Sequence, residues 1–270
     1  MEAGNDSNYS TSSHYPCLDE LFRDELAFTL IVIIYMFKHA QSMRYPNVVP
    51  ALFIARTNRF IAIVDIDGET ETVHVRNTGR CKEILIPGTK VFLVESDNPD
   101  RKTRYDLISA YKGELLINID TSAPNKVFGE YISESNLFGE DAKVFPERKH
   151  GDSRFDFCVE SGDRRIFAEV KGVTLEEDGV CRFPDAPTER GLKHLRELKE
   201  CVQEGYEAYV VFVVQMKGMK VFTPNYDTHP EFGMTLKEVE KAGVRVLVLG
   251  CTVTEDSLEI DGVQIPVSYR

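Results

Sequence analysis

The stretch from Glu207 to Gln215, Glu-Ala-Tyr-Val-Val-Phe-Val-Val-Gln, is almost continuously apolar, as expected of a strand buried on both faces. Such a strand requires a sheet with other layers packed on each side of it. Its surroundings agree. Upstream, Leu192, Leu195, Leu198 and Val202 form an apolar stripe at helical spacing, Thr188 stands at the N-cap position, Glu189 falls in the first turn and Gly205 ends the helix. Downstream, the pattern predicts a helix over 231–242 and a strand over 244–249. Before it come a helix starting at Ala123-Pro124-Asn125 and running to about 136, strands over 143–147, 153–159 and 165–171, and a long loop over 173–187. The segment 121–270 is therefore expected to be an α/β domain.

Chemistry concentrates in the second and third of those strands. The segment Arg154-Phe155-Asp156-Phe157-Cys158-Val159 is followed by a tight turn at Glu160-Ser161-Gly162-Asp163 and then by Arg165 to Lys171. Side chains alternate along a strand, so Glu169 and Lys171 share a face and Val170 points the other way. Antiparallel pairing that puts Asp156 near Glu169 gathers two carboxylates and an ammonium. Two hard oxygen donors suit Mg2+ or Mn2+, completed by a backbone carbonyl, for which Val170 is the candidate, and by water. An ammonium beside the ion suits the handling of an attacking water in phosphodiester hydrolysis. Charged residues at alternate positions are also common on a solvated strand face. The context favours the chemical reading, because Asp156 sits between Phe155 and Phe157, thirteen residues before Glu169. This spacing resembles the PD-(D/E)xK nuclease signature, with Phe155 in place of its usual proline, and the order helix, three strands, helix, strand resembles the restriction-endonuclease-like core. Glu130 on the first helix and Glu147 at the end of the first strand are further candidate metal ligands, each equally readable as an exposed glutamate.

The segment 43–120 reads as a compact all-β unit. Strands are expected over 51–56, 60–66, 70–75, 90–94, 105–110 and 115–119. Asp67-Gly68 and Lys112-Gly113 make tight hairpins, and one short helical piece falls at 80–85. Such short strands in so short a segment predict a small OB-like β-barrel, a fold that binds oligonucleotides. Arg76, Asn77 and Arg80 in one loop and Arg101, Lys102 and Arg104 in another supply local positive charge, which is also what solvated loops carry. Tyr105 is read either as a base-stacking side chain or as core.

The whole chain carries a net charge of −12, of which −4 lies in the first 42 residues (Arg23 and Lys38 against Glu2, Asp6, Asp19, Glu20, Asp24 and Glu25). That balance excludes coating nucleic acid by bulk charge, so any contact must be made through a local basic patch. Six cysteines, at 17, 81, 158, 181, 201 and 251, form no metal-ligand spacing and read as free thiols of a cytoplasmic protein. Residues 1–20 lack periodicity and read as disordered. The apolar run 26–37 is too short to span a bilayer as a helix, and it follows an acidic segment unlike that of a signal peptide. It reads as an amphiphilic anchor, as a helix packed on the body or as sequence upstream of the true start. Composition favours the last, because Met43 opens a stretch that looks like a natural N-terminus. No membrane partner is expected.

Five motifs, taken in order, carry a more specific likeness. Arg76-Asn77-Thr78-Gly79-Arg80, Asn118-Ile119-Asp120 with Ala123-Pro124-Asn125, Gly151-Asp152-Ser153-Arg154-Phe155-Asp156-Phe157, Glu169-Val170-Lys171-Gly172-Val173-Thr174-Leu175 and Phe183-Pro184-Asp185-Ala186-Pro187-Thr188-Glu189-Arg190-Gly191 together resemble the sugar fermentation stimulation protein (SfsA) family. The resemblance spans about 43–254. It implies an OB-like domain joined to a PD-(D/E)xK-type domain and DNA binding as the activity. Asp156, Glu169 and Lys171 match the metal and catalytic positions. The segment from Asp185 to His194 is expected beside that site, and Arg190, Lys193 and His194 at its helix start are candidates to hold a phosphate; otherwise it is an amphipathic helix with a charged outer face. Gln215 is a candidate to reach the metal's water or a base, or to bond neighbouring backbone. The expected activity is a Mg2+- or Mn2+-dependent nuclease acting on DNA. The alternatives are a non-catalytic DNA-binding regulator of sugar-utilisation genes and an RNA-directed version of either. A homodimer is a possible assembly.

Overall fold

The computed structural model describes residues 43–270; the readings for 1–42 lie outside them. The first half is built from β1 (Val48–Asn58), β2 (Ile61–Ile66), β3 (Glu69–Val75), β4 (Lys90–Glu95), β5 (Tyr105–Lys112) and β6 (Leu115–Asn118). The β2–β3 hairpin turns at Asp67-Gly68, where both residues have positive φ (53° and 91°), the geometry that selects this dipeptide. The strands run in the order β3-β2-β1-β4-β5, and parallel pairing of His74 with Asp106 and Val75 with Leu107 closes them into a five-stranded OB barrel. Phe53, Val64, Val73, Val91 and Leu107 fill its interior. The helical piece expected at 80–85 is a single turn, in which the Leu85 amide donates to the Cys81 carbonyl at 2.8 Å. Cys81 at φ 45° departs from helical backbone, and Pro87 follows too soon for extension.

The second half is a layered α/β domain, comprising α1 (Ala123–Ser135), β7 (Lys143–His150), β8 (Ser153–Ser161), β9 (Arg164–Val173), β10 (Leu175–Glu177), β11 (Val180–Phe183), α2 (Glu189–Gln203), β12 (Glu207–Val214), β13 (Val221–Pro224), α3 (Pro230–Lys241), β14 (Arg245–Val253) and β15 (Leu258–Gln264). Its main sheet has the order β15-β14-β12-β9-β8-β7. β7, β8 and β9 form an antiparallel meander, and β12 lies parallel between β9 and β14. The buried β12 separates two cores, as its composition demands. Val210, Phe212 and Val214 pack with Leu192, Leu195, Leu198 and Phe232 of α2 and α3. Tyr209, Val211 and Val213 pack with Val127, Phe128 and Ile132 of α1. The Thr188 hydroxyl caps α2 by accepting the Gly191 amide at 3.0 Å.

Two parts differ from the sequence expectation. The segment 173–187 is not a bare loop, because β10 and β11 pair within it and β11 pairs with β13 in a small sheet. β10 and β11 turn at Asp178-Gly179, both at positive φ, while the pairing of β11 with β13 is distant in the chain. β15 also escaped notice, because Asp261-Gly262 in its middle reads as a turn; here Gly262 has φ 79° and the pairing with β14 shifts register between Leu249 and Cys251.

β6 joins the two halves. It leaves the barrel to meet the end of β12, where Ile117 bridges Met216 and the Asn118 amide donates to the Gln215 carbonyl at 3.0 Å. A buried polar seam surrounds this junction. Asp120 accepts from the Tyr45 hydroxyl at 3.1 Å and from Arg76 Nη1 at 3.0 Å. Gln215 Nε2 donates to Asn118 Oδ1 at 2.8 Å and to the Asp120 carbonyl at 3.0 Å. Arg76 also bonds Asp106, which in turn holds Arg101 and His74. Among the described residues the cysteines are five buried free thiols, and no helix is long and apolar enough to cross a membrane.

Burial alone would push the Asp106 carboxyl up, but bonds from Arg101 and His74 and the charge of Arg76 hold it down at about 2. A carboxyl lowered on folding stabilises fully above its unfolded pKa and loses that contribution as pH falls through its folded value. The shift corresponds to about 2 kcal/mol, present at neutral pH and lost between roughly pH 4 and 2. Urea unfolding across that range is expected to show this decline, and Asp106→Asn to flatten it while lowering stability at pH 7 by a comparable amount.

Candidate functional site

The β8–β9 hairpin places the acidic pair. Its ladder continues to Phe157 opposite Ala168, so the next register position sets Asp156 across from Glu169. There the ladder gives way to side-chain bonding. Asp156 Oδ2 accepts the Val170 amide at 2.8 Å, and Asp156 Oδ1 accepts Asn125 Nδ2 of α1 at 2.8 Å. A residue in an antiparallel ladder exchanges both its bonds over the same edge. The Val170 carbonyl therefore leaves β9 on the side of Asp156.

Glu169 and Lys171 face α2. Lys171 Nζ donates to Glu169 Oε1 at 2.5 Å, and His194 Nδ1 contacts the same oxygen. Arg190 Nε lies 3.4 Å from His194 Nε2. In the tautomer with its proton on Nδ1 the imidazole donates to Glu169, and Nε2 accepts from Arg190. Glu169 Oε2 is buried and, among the described residues, has no hydrogen-bond partner. Burial pushes the Glu169 carboxyl up, but hydrogen bonds from His194 and Lys171 outweigh it and hold the group below its usual range. Asp156 goes the other way. Burial and the nearby charge of Glu169 raise it, against the opposing pull of Val170, Asn125 and Lys171. Two like charges thus share a desolvated space, and one oxygen there lacks a donor.

Among the described residues no three His, Cys, Asp or Glu side chains form a ready-made metal cage. Two carboxylates and a backbone carbonyl are donor types that suit a hard cation. The unpartnered Oε2 of Glu169 fits such an ion.

The other expected ligands divide. Glu147 falls at the ladder position between Pro146–Phe157 and Arg148–Phe155, which is opposite Asp156. Its φ is 50°, and its exposed carboxylate pairs with Arg154 at 3.3 Å. Glu130 is not brought to this group. Its carboxylate accepts the Met43 amide at 3.0 Å, and the charges acting on it are Glu134, Lys126 and Glu259.

Several of the residues expected to meet nucleic acid have bonds within the chain. Arg76 and Arg101 are committed to buried Asp106 and Asp120. Asn77 is buried, donating to the Ile119 carbonyl at 2.9 Å and accepting the Gly79 amide at 2.7 Å. Arg104 pairs with Glu95 at 2.7 Å and lies over the ring of Tyr105, whose own side chain is buried. His194 is in the acidic group rather than on the surface, while its basic neighbours Arg190 and Lys193 are exposed. Lys102 and Arg80 are exposed. Asp185 sits against the loop at Gly79, where an added Cβ would lie 2.1 Å from Asp185 Oδ2. Gln215 is held in the seam by its amide nitrogen, with its Oε1 over Gly172. Asn125 and Arg56 were not singled out by the sequence as site residues. The Ala123-Pro124-Asn125 motif is the signal that marked the first of them.

Two family models match the chain. Residues 54–119 match the SfsA N-terminal OB domain, and residues 122–257 match the sugar fermentation stimulation protein RE domain. A sugar fermentation stimulation protein homolog from Desulfitobacterium hafniense (strain DSM 10664 / DCB-2) is 58% identical over 217 residues, covering 80% of this chain and 95% of that protein. One from Clostridium beijerinckii (strain ATCC 51743 / NCIMB 8052) is 54% identical over 218 residues, covering 81% and 96%. The solved structure of Pyrococcus furiosus SfsA in complex with Ca2+ matches with a TM-score of 0.76 at 30% identity, over 84% of this chain and 98% of that one.

The packing around the acidic pair gives a direct test. A Cβ on Gly172 would lie 2.3 Å from Gln215 Oε1 and 2.8 Å from Pro124 Cγ at the start of α1. Gly172→Ala is expected to lower stability by about 1–3 kcal/mol in urea unfolding, as overpacking does. Because Pro124 adjoins Asn125, it is also expected to loosen the bond to Asp156.

Proposed function

This chain belongs to the sugar fermentation stimulation protein (SfsA) family, and from that premise we propose that it is a divalent-cation-dependent nuclease that hydrolyses phosphodiester bonds in DNA. The observation that carries this reading is the buried, unpartnered Oε2 of Glu169 beside Asp156, with the Lys171 ammonium on the same glutamate. A fold that only bound nucleic acid has no need of two desolvated carboxylates next to a lysine. Further support comes from the OB barrel, an architecture suited to oligonucleotides. The Pyrococcus furiosus relative was solved with Ca2+, an ion that takes oxygen ligands.

Asp156, Glu169 through Oε2 and the Val170 carbonyl would hold Mg2+ or Mn2+, with Glu147 as the acid at the open edge. When bound, such a cation polarises a phosphoryl oxygen and lowers the pKa of a coordinated water. The chain's own groups do the rest. Asn125 and the Val170 amide fix the Asp156 carboxylate, one on each of its oxygens. His194 and Lys171 both donate to Oε1 of Glu169, leaving Oε2 as the ligand atom. Lys171 keeps ammonium hydrogens to orient the attacking water. Arg190, exposed at the start of α2 and bonded to His194, meets the phosphate being cleaved.

The test is cleavage of single-stranded, duplex and branched DNA, and of RNA, with Mg2+, with Mn2+ and with chelator. Metal-dependent cutting is expected, lost in Asp156→Ala and Lys171→Ala. No cutting on any substrate, with binding retained by both variants, would instead support a DNA-binding regulator of sugar-utilisation genes. His194 acts through Glu169, and removing such an orienting partner typically weakens metal affinity about 10–100-fold. His194→Ala is therefore expected to weaken Mn2+ binding measured by calorimetry by that order, and His194→Gln, which keeps a donor, to restore part of it.

A further inference from the structure

The OB barrel carries a second cationic feature, apart from the acidic pair. Arg59 and Phe60 form the tip between β1 and β2, and Arg80 and Lys82 lie in the connection from β3 to β4. Together with Asn58 and Leu85 these two loops line a cavity of about 390 Å3. A single guanidinium holds the loops together. Arg56 donates to the carbonyls of Arg59 at 2.6 Å, Asn77 at 2.5 Å, Gly79 at 2.8 Å and Arg80 at 3.0 Å. Asn58 Oδ1 orders the tip by accepting the Phe60 amide at 2.8 Å and the Ile61 amide at 3.1 Å.

Three observations set this place apart from an ordinary solvated loop. Arg59, Arg80 and Lys82 are exposed and, among the described residues, form no ion pair, in a chain with 44 acidic against 32 basic side chains. Large apolar side chains are exposed beside them, with Phe60 at 48% and Ile86 at 51%. The backbone that presents them is already fixed by Arg56, so little ordering remains to be done on binding. Two acids, Glu83 and Asp185, exert their charges on Cys81 in the same connection. They leave the cations in excess.

Unpaired cations on two clamped loops, one of which also carries an exposed aromatic ring, suit a phosphodiester backbone with unstacked bases. We propose that the Arg59-Phe60 tip, with Arg80 and Lys82, is a binding site for single-stranded nucleic acid, in which Phe60 stacks on a base and the three cations meet backbone phosphates. The site shares with the proposed function only its nucleic-acid substrate. Duplex DNA hides its base faces within the stack and offers nothing to Phe60.

The experiment uses the full chain in chelator, so that binding is read without cleavage, by fluorescence anisotropy of labelled oligodeoxythymidine, oligouridine and a duplex across a salt series. The single strands are expected to bind more tightly than the duplex, and the comparison of oligodeoxythymidine with oligouridine identifies whether DNA or RNA is preferred. Phe60→Ala is expected to weaken single-strand binding about tenfold without changing the salt slope. The triple variant Arg59→Ala, Arg80→Ala and Lys82→Ala is expected to reduce that slope by about 2, the value for three single-strand phosphate contacts. All four side chains are exposed, so thermal unfolding should match the parent. Unchanged affinity in Phe60→Ala, or an unchanged slope in the triple variant, would overturn the proposal. Failure here leaves the Asp156–Glu169 reading intact, and absence of cleavage leaves this binding site intact.

Discussion

A carboxylate buried completely is tolerable only when its lone pairs are answered by donors, and Asp120 meets that condition by drawing on both halves of the molecule. Its Oδ2 takes the Tyr45 hydroxyl and Arg76, and its Oδ1 takes the amide and hydroxyl of Ser122. Its backbone carbonyl accepts Gln215 Nε2. Gln215 is thereby held with its Oε1 over Gly172, the residue after Lys171. Pro124 packs on the same glycine and starts the helix whose Asn125 holds Asp156. The barrel is thus tied to the hairpin through a short chain of bonds and contacts. The positions of Asp156 and Lys171 depend on it.

This dependence explains why the acidic pair persists in a desolvated setting. Asp156 and Glu169 raise the electrostatic cost of each other's charge, and the structure answers with fixed donors on three of their four oxygens. The remaining oxygen, Glu169 Oε2, marks where compensation must come from something other than the chain. In the proposed function that compensation is a hard cation. His194 and Lys171, both on Oε1, decide which oxygen is left for it.

Much of this was legible in the sequence where local pattern and tertiary role coincide. The apolar run of β12, the capped stripe of α2, the Asp67-Gly68 turn and the β8–β9 hairpin all report their neighbours through period or turn chemistry. The short strands β10, β11 and β13 did not, because their length carries no period, although Asp178-Gly179, both at positive φ, is the turn that joins β10 to β11, and only the pairing of β11 with β13 is distant. The basic motifs were legible as motifs but not as roles. Arg76, Asn77 and Arg101 look like surface cations or polar loop residues in one dimension, while their bonds to Asp106, Asp120 and Ile119 are set by barrel closure and by β6 crossing to β12. His194 posed the same problem. A histidine near a helix start reads as a surface anion contact until α2 is docked over Glu169. Arg59 and Lys82 were passed over because neither stood in a motif, and only the Arg56 clamp brings them beside Arg80.

The most direct measurement is crystallographic. A crystal of the chain soaked in Mn2+ and recorded at a wavelength giving manganese anomalous signal should show one strong peak in contact with Asp156 and with Oε2 of Glu169. That peak should be absent from Asp156→Ala crystals. A parent crystal with no peak at that pair, or with its manganese bound only elsewhere, would contradict the cation site on which the nuclease reading rests.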